Sequence, residues 1–337
     1  MARLPGLDLL RGMAAYMVVV GHCGPALARV LGPANDLFVG FLAISGVELF
    51  FALSGFLIGG ILLELEPSAL NYRYFLVRRW LRTLPVYFVA LAAFMLLPRP
   101  PDDAVPADWW RYLVFLQNVT DNAPFFGVSW SLAVEEWFYV LLPLLLLLRL
   151  RYLHAVMLFV AFGLLARLFL PVDVRQSLLG RADAVAYGCL IAWALKTPWR
   201  AQIERHAGLL AAVGAAGMLC AFGSLVYLVE HAMYTRPAGA AIYTALPCFA
   251  AFTIPFFAKL EIRDPTLAAV AKFGAAVSYP LYIWHVEVID VLSRTSLHAG
   301  KGLLHVVAVL VAASVAAYVV HLLIERPGMR ARPPMPR

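Results

Sequence analysis

The sequence predicts an all-α, polytopic integral membrane protein, a bundle of about ten transmembrane helices with both termini in the cytoplasm. Three observations support this fold class. The 337 residues are 63% apolar and 14% charged, with a mean hydropathy of +0.80, which is far more apolar than a soluble domain needs. Apolar runs close to the ~20 residues that cross a bilayer recur along the whole chain. Basic residues collect on alternate connections between these runs.

The apolar runs define the predicted spans in order. They lie at roughly 7–30, 38–63, 80–97, 130–148, 152–170, 184–196, 207–230, 240–258, 268–292 and 303–324. The first run is not a cleavable signal peptide, because Asp8 and Arg11 interrupt it. The sixth run is short, so we expect it to be tilted or extended by its neighbours. An even number of spans returns both ends of the chain to one side.

The charge distribution orients these spans. Arginine and lysine are concentrated after the second, fourth, sixth and eighth spans and in the C-terminal tail, whereas the opposite side carries the acidic, proline-rich loop Pro98–Asp108. By the positive-inside rule the arginine-rich side is cytoplasmic. These loops account for the net charge of +7, and no nucleic-acid-binding pattern is present to use it. We therefore expect membrane lipid, and no nucleic acid, among the partners.

The chain offers little sign of any other domain or of a metal. Its four cysteines lie in or beside apolar spans and form no CxxC pair, which is typical of packing residues rather than of a disulfide framework or a metal site. We predict one transmembrane domain over residues 1–337 and no C-terminal soluble domain.

Span 1 carries two polar residues that share one helical face. Arg11 and His22 are eleven residues apart, about three turns, so their side chains lie on one stripe about 16 Å apart along the axis. A charged or titratable group in hydrocarbon is costly and usually marks a functional site. The pair therefore predicts a polar track through the membrane.

Other spans bring titratable side chains to the outer level of the membrane, near His22. They are Glu48 on span 2, Glu135 and Glu136 on span 4, Arg167 near the outer end of span 5, Arg181 and Asp183 at the start of span 6, and His285 on span 9. Histidine exchanges its proton nearest neutral pH, so His22 is the candidate general base. Glu48 or one of the span-4 carboxylates would orient its ring and stabilise the imidazolium.

A second cluster is predicted at the cytoplasmic boundary. We expect Arg73, Arg78, Arg79 and Arg82 to lie together there, with Arg11 nearby on span 1. Guanidinium groups bind phosphates bidentately, which favours an anion site. Positive-inside topology and lipid headgroup contact are the alternative explanation for Arg78 and Arg79.

Several motifs together resemble the membrane-bound acyltransferase-3 family over nearly the whole chain, from Leu4 to Arg326–Pro327. They are Arg11-x10-His22, Val47–Leu57, Arg78-Arg-x2-Arg82 with Pro85 and Tyr87, Trp130–Tyr139 and Ser278–His285. The resemblance implies O-acylation of carbohydrates or related hydroxyl compounds in the bacterial inner membrane. Acyl-CoA, commonly acetyl-CoA, would serve as co-substrate, with no permanently bound cofactor and no metal.

The resemblance implies roles for His22 with Arg11, for Arg78, Arg79 and Arg82, and for Glu135 with Glu136, and the positions of the other candidates along the spans predict theirs. The catalytic set is His22, Glu48, Glu135, Glu136 and Arg11; the acyl-CoA-binding set is Arg78, Arg79, Arg82 and Arg11; the substrate-binding set is Trp130, Ser131, Tyr139, Arg181, Asp183 and His285. Glu48 stands where relatives often have aspartate. The acceptor would be a carbohydrate or glycolipid, and polysaccharide-biosynthesis machinery is a candidate partner.

The predicted reaction has acyl-CoA entering from the cytoplasm, with its phosphates on the arginines and its pantetheine arm along the stripe of span 1. His22 would deprotonate an acceptor hydroxyl that attacks the thioester, or would itself carry the acyl group transiently. Ser54, Ser131 and Tyr139 are candidate oxyanion donors by position. The alternatives are a transporter or flippase for a lipid-linked saccharide or an acyl group, and a structural membrane subunit.

Overall fold

In the computed structural model, residues 4–32, 36–97, 104–121 and 125–334 are described, and helices are the regular secondary structure of these ranges. Most of the acidic loop Pro98–Asp108 therefore lies outside them. The helices are α1 (Pro5–His22), α2 (Gly24–Leu31), α3 (Asp36–Glu64), α4 (Ala69–Leu96), α5 (Trp130–Leu147), α6 (Tyr152–Phe169), α7 (Ala186–Ala194), α8 (Arg200–Arg205), α9 (Ala207–Glu230), α10 (Arg236–Lys259), α11 (Pro265–Ser293), α12 (Leu303–Val320) and α13 (Arg326–Arg330). Short 3₁₀ turns cover Trp109–Val114, Gly127–Ser129 and Ala299–Lys301, and a π-helical turn covers His321–Glu325.

The all-α membrane fold is confirmed, with a smaller number of full-length spans. Within the described ranges, eight helices are long and apolar enough to cross a membrane, or up to nine if the bent pair α1–α2 counts as one span. The predicted span at 184–196 forms only α7, whose nine residues rise about 14 Å and cannot cross ~30 Å of hydrocarbon. The location of both termini in the cytoplasm stays a prediction.

The predicted span 1 is broken near its C-terminal end. The axes of α1 and α2 differ by 73°, and Cys23 separates the two helices. Pro25 explains the break, because its ring nitrogen has no hydrogen to donate to the preceding turn and its ring crowds the carbonyl four residues earlier. The break makes His22 the last residue of α1.

The chain divides into two compact units. The terminal unit contains Met1–Phe50 and Phe256–Gly328, and the central unit contains Phe51–Pro255 and Met329–Arg337. In the terminal unit, α1, α2, α11 and α12 share a core with the start of α3. Its members include Ala15, Val19, Cys23, Ala26, Val39, Val277, Leu281, Val306 and Val309. The hydroxyl groups of Tyr16 and Ser314 also join α1 to α12 at 2.8 Å.

Glycines set the packing of the terminal unit. A Cβ on Gly12 would lie 3.1 Å from the Cα of Gly274, so α1 and α11 approach backbone to backbone. A Cβ on Gly21 would lie 2.6 Å from that of Ala43, and one on Gly46 would lie 2.7 Å from the Ala14 carbonyl oxygen. The start of α3 therefore runs antiparallel to α1 in close contact.

In the central unit, the segment between α4 and α5 is anchored to both helices. The Tyr87 hydroxyl donates to the Tyr112 carbonyl at 2.9 Å, and the Trp137 indole donates to the Phe115 carbonyl at 3.1 Å. Asn118, which begins an Asn-Val-Thr sequon, is buried and its side-chain amide donates to the carbonyls of Trp130 and Gln176. These bonds fit a structural asparagine rather than a glycosylated one.

Candidate active site

His22 occupies the exposed C-terminal end of α1. Its Nδ1 lies 2.8 Å from the Val18 carbonyl oxygen. A carbonyl only accepts, so Nδ1 carries the proton, and Nε2 of the neutral ring carries the basic electron pair. The negative end of the α1 dipole favours an imidazolium at this position. The local structure therefore prepares His22 to accept a proton at Nε2.

The ring of His22 contacts that of His285 on α11. The two ring centroids are 4.8 Å apart at an interplanar angle of 68°, an edge-to-face contact. His285 is completely buried, and its Nδ1 lies 2.7 Å from the Tyr282 carbonyl oxygen. We call His22 and His285 the imidazole pair. The sequence placed His285 in the substrate-binding set, and the structure places it against the proposed base.

The stripe from Arg11 to His22 is present on one continuous helix, as predicted, and Arg11 is half-buried. Glu48 is buried on α3, but its position along the axis of α1 differs from that of His22. The contact of Gly46 with α1 places Glu48 opposite Tyr16, about six residues or 9 Å from His22 along α1. The expectation of equal height is wrong, because the antiparallel register puts Glu48 midway between Arg11 and His22.

The adjacent carboxylates Glu135 and Glu136 in the central unit have different partners. Glu136 is buried and accepts from the Trp80 indole at 3.1 Å and from the Thr83 hydroxyl at 2.9 Å, both on α4. Glu135 accepts from the Ser54 hydroxyl at 3.1 Å and also from the Tyr139 hydroxyl. Consecutive residues of α5 thus join it to α4 and to α3.

The arginine segment of α4 lies at the level of these carboxylates. The Arg79 guanidinium stands 5.8 Å from the centre of the Tyr139 ring and interacts electrostatically with Glu135 and Glu136. The expectation of two clusters at opposite membrane faces is therefore wrong for these residues. The reason is that α4 begins at Ala69 rather than near residue 80, which places the arginines well inside the helix.

The other two arginines of this segment have their own surroundings. Arg78 is half-buried and donates to the Pro333 carbonyl of the C-terminal tail. Arg82 is half-buried. The three guanidinium groups therefore have different surroundings, since Arg79 lies close enough to Glu135 and Glu136 to interact with them electrostatically.

The predicted substrate-binding residues of the central unit are largely interior. Ser131 is buried, and the Trp130 ring packs edge to face on Phe51 with centroids 5.7 Å apart. Arg181 is completely buried, donates to the Tyr243 carbonyl at 3.1 Å and lies over the rings of Phe51 and Tyr243. These contacts favour a packing role in the structure as it stands.

Asp183 likewise presents no exposed surface to a substrate. Arg167 of α6 donates two N–H groups to its two carboxylate oxygens, each at 2.7 Å, and both side chains are completely buried. The Tyr187 hydroxyl donates to the same carboxylate at 3.3 Å. Gly163 leaves room for this arrangement, because a Cβ there would lie 2.7 Å from Asp183 Cγ. The arrangement favours a structural role for Asp183 over substrate binding.

Sequence reasoning missed several of these partners. Trp80 and Thr83 lie beside Arg79 and Arg82 in the sequence, and no sequence pattern predicts that their side chains donate to Glu136. The sequence predicts the position of Arg167 near the end of span 5 but does not predict its pairing with Asp183. An arginine and an aspartate in apolar surroundings on consecutive helical segments are the signal that would have found this pair.

The described helices define a multi-pass membrane protein. A family model described as an acyltransferase domain matches residues 4–322, so the chain belongs to that family, as the motifs indicated.

Two similar proteins carry related names. The peptidoglycan O-acetyltransferase OatA of Listeria monocytogenes is 24% identical over 96% of this chain and 56% of its own length. A Bacillus subtilis protein provisionally named peptidoglycan O-acetyltransferase YrhL is 27% identical over 96% of this chain and 54% of its own. The chain thus spans about half the length of these relatives. No solved structure matches it significantly.

Proposed function

We propose that the protein is an O-acyltransferase of a bacterial inner membrane that moves an acyl group, most simply acetyl, from acyl-CoA to a glycan hydroxyl. The observation that carries this proposal is the state of His22. Its Nδ1 is held by a carbonyl, its Nε2 is the basic nitrogen, and the residue is exposed at a helix C-terminus. Membership of the acyltransferase family supports the reaction class.

In the proposed reaction His22 acts as general base. Its Nε2 takes the proton of the acceptor hydroxyl while the hydroxyl oxygen bonds to the acyl carbon of the thioester. The C–S bond then breaks, and the imidazolium returns the proton to the departing thiolate. The α1 dipole stabilises the imidazolium that forms between these two steps. Atoms and charges balance without a metal or a redox partner.

The donor is assigned through the arginines. Coenzyme A carries phosphate groups, and forked guanidinium groups bind phosphate oxygens in pairs. Arg78 and Arg82 on α4 are the proposed ligands, with Arg79 contributing charge that Glu135 and Glu136 partly neutralise. Arg11 on α1 is a further candidate. This assignment rests on the guanidinium chemistry and on the motif that these residues match.

The acceptor is assigned through the relatives. Both similar proteins described above are named peptidoglycan O-acetyltransferases, so a hydroxyl of a cell-wall or other surface glycan is the favoured acceptor class. The chain matches about half the length of those relatives, and we propose the same acceptor class for it. Machinery that synthesises the glycan would be the natural partner.

A reconstituted system can distinguish acyl transfer from transport. Purified protein in liposomes would receive acetyl-CoA labelled in the acetyl group and a peptidoglycan oligosaccharide. We expect an alkali-labile acetyl ester on the oligosaccharide and one free CoA for each ester formed. Movement of acetyl-CoA or of saccharide across the bilayer without any ester would contradict the proposal and indicate a transporter or flippase.

A further inference from the structure

The second histidine of the imidazole pair has an incomplete set of hydrogen bonds. His285 is completely buried, and its Nδ1 donates to the Tyr282 carbonyl. The electron pair of the neutral ring is therefore on Nε2. Within the described residues Nε2 has no hydrogen-bond partner. Buried polar atoms are nearly always paired, so an orphaned nitrogen beside a proposed base needs an explanation.

The surroundings of the pair give one. Both rings carry their proton on Nδ1 and donate it to a carbonyl of their own helix, at Val18 and at Tyr282. In the resting state each Nε2 therefore bears an electron pair, and neither ring can donate to the other. When His22 gains a proton, its ring becomes a cation 4.8 Å from the centre of a neutral, polarisable ring with an available electron pair. The contact is thus more favourable after proton transfer than before it.

Two glycines allow the backbones of α1 and α11 to approach closely enough for this ring contact. Gly12 and Gly274 allow α1 and α11 to touch, and about three turns further along each helix His22 meets His285. The two helices therefore run parallel through this contact. Completely buried His285 cannot move away from His22 without disturbing the helix pair, so the distance between the rings is fixed by the core.

We propose that His285 is a positioning residue for His22, which holds the ring of the base edge to face and stabilises its imidazolium during acyl transfer. The inference rests on the proposed function and deepens it, since it assigns His285 to the base rather than to the substrate. His285 takes up no proton itself. The proton passes from the acceptor hydroxyl to His22 and then to the thiolate. His285 lowers the activation barrier of acyl transfer by stabilising the imidazolium ring of His22.

The test separates the two nitrogens of His285. His285→Asn keeps an amide N–H where Nδ1–H meets the Tyr282 carbonyl and removes Nε2, whereas His285→Gln puts an amide oxygen near the position of Nε2. We expect His285→Asn to lower kcat for glycan acetylation about tenfold or more, with the KM for acetyl-CoA changed less than about threefold. His285→Gln is expected to restore part of kcat.

His305→Asn is the matched control. His305 lies on α12 of the same unit and is also buried. Its Nδ1 lies 2.5 Å from the carbonyl oxygen of Leu297, in the segment between α11 and α12. We expect its kcat to stay near that of the wild type. A His285→Asn variant with wild-type kcat would overturn the inference, as would equal losses in His285→Asn and His285→Gln accompanied by a raised KM.

A measurement on the unaltered protein covers the case in which the variants fail to fold. Nitrogen-15 NMR of histidine-labelled protein should show two rings in mutual contact, both protonated at Nδ1. A contacting pair with the proton on Nε2 would overturn the inference. If His22→Gln retained acetylation, the proposed function itself would fail, whereas loss of activity in His22→Gln with full activity in His285→Asn would reject the role of His285 alone.

Discussion

His285 in the terminal unit and Asp183 in the central unit are both completely buried, yet they differ in how fully their polar atoms are paired. Asp183 receives two N–H groups from Arg167 and a hydroxyl from Tyr187. His285 makes one hydrogen bond to Tyr282 and keeps a nitrogen without one. Both residues were assigned to the same substrate-binding set from the sequence.

The difference separates two uses of buried polarity in this molecule. A carboxylate with a complete set of donors holds helices together, and breaking it leaves a charge without compensation. An imidazole with an orphaned nitrogen contributes less to holding the fold, and it keeps a group available for a charge that forms during reaction. Glu136, which accepts from Trp80 and Thr83, belongs with Asp183 in this respect.

The largest effect on this comparison is expected from Asp183→Asn. The change removes the charge that compensates the buried Arg167 guanidinium and should cost about 3–5 kcal/mol in the free energy of unfolding. Thermal unfolding in detergent would measure it. The acetylation rate per folded molecule should change little, because we expect Asp183 to stabilise the fold and not to contact the reacting groups.

The exposed pair of Asp290 and Arg294 supplies the control. Its nearest atoms lie 2.6 Å apart with both side chains about half exposed, so Asp290→Asn should cost less than about 1 kcal/mol. Equal stability losses in the two aspartate variants would show that the buried pair of the central unit is not a structural element.

A smaller effect is expected from Gly274→Ala, which acts on the terminal unit. The new methyl group would lie 3.1 Å from Gly12 Cα, so α1 and α11 must separate by a few tenths of an ångström. We expect a stability loss of about 1–3 kcal/mol from this overpacking. The kcat per folded molecule should also fall, because the rings of His22 and His285 move apart.

Gly208→Ala is the control for the glycine change. A Cβ at Gly208 would meet no atom within 4 Å, and alanine favours a helix over glycine by about 0.5–1 kcal/mol. That variant should be at least as stable as the wild type and equally active. If Gly274→Ala behaved in the same way, close packing of α1 on α11 would not set the geometry of the imidazole pair.

The fold was readable from the sequence wherever hydropathy alone decides. The predicted span 207–230 coincides with α9, and the Arg11–His22 stripe lies on one helix as expected. The start of α4 was missed by about eleven residues, because Ala69–Arg79 mixes polar and apolar side chains and carries no hydropathy signal. That single boundary misplaced the arginines relative to Glu135 and Glu136.

The composition of the candidate site was easier to predict than its pairing. His22 and His285 were both named, but their contact depends on Gly12 meeting Gly274, residues far apart in the chain whose packing no local pattern reveals. Glu48 was assigned to His22 from threading direction, and the antiparallel contact at Gly46 moves it about two turns away. Side-chain type carries the chemistry, and helix register decides which groups meet.

The central claim, that His22 is the base of an O-acyl transfer, is tested most directly by mass spectrometry of surface glycans. Cells lacking the protein would express the wild type, His22→Gln or His305→Asn at equal membrane levels. We expect the acetyl ester mass increment with the wild type and His305→Asn, and its reduction about 100-fold or more with His22→Gln. A full ester increment with His22→Gln would contradict the account.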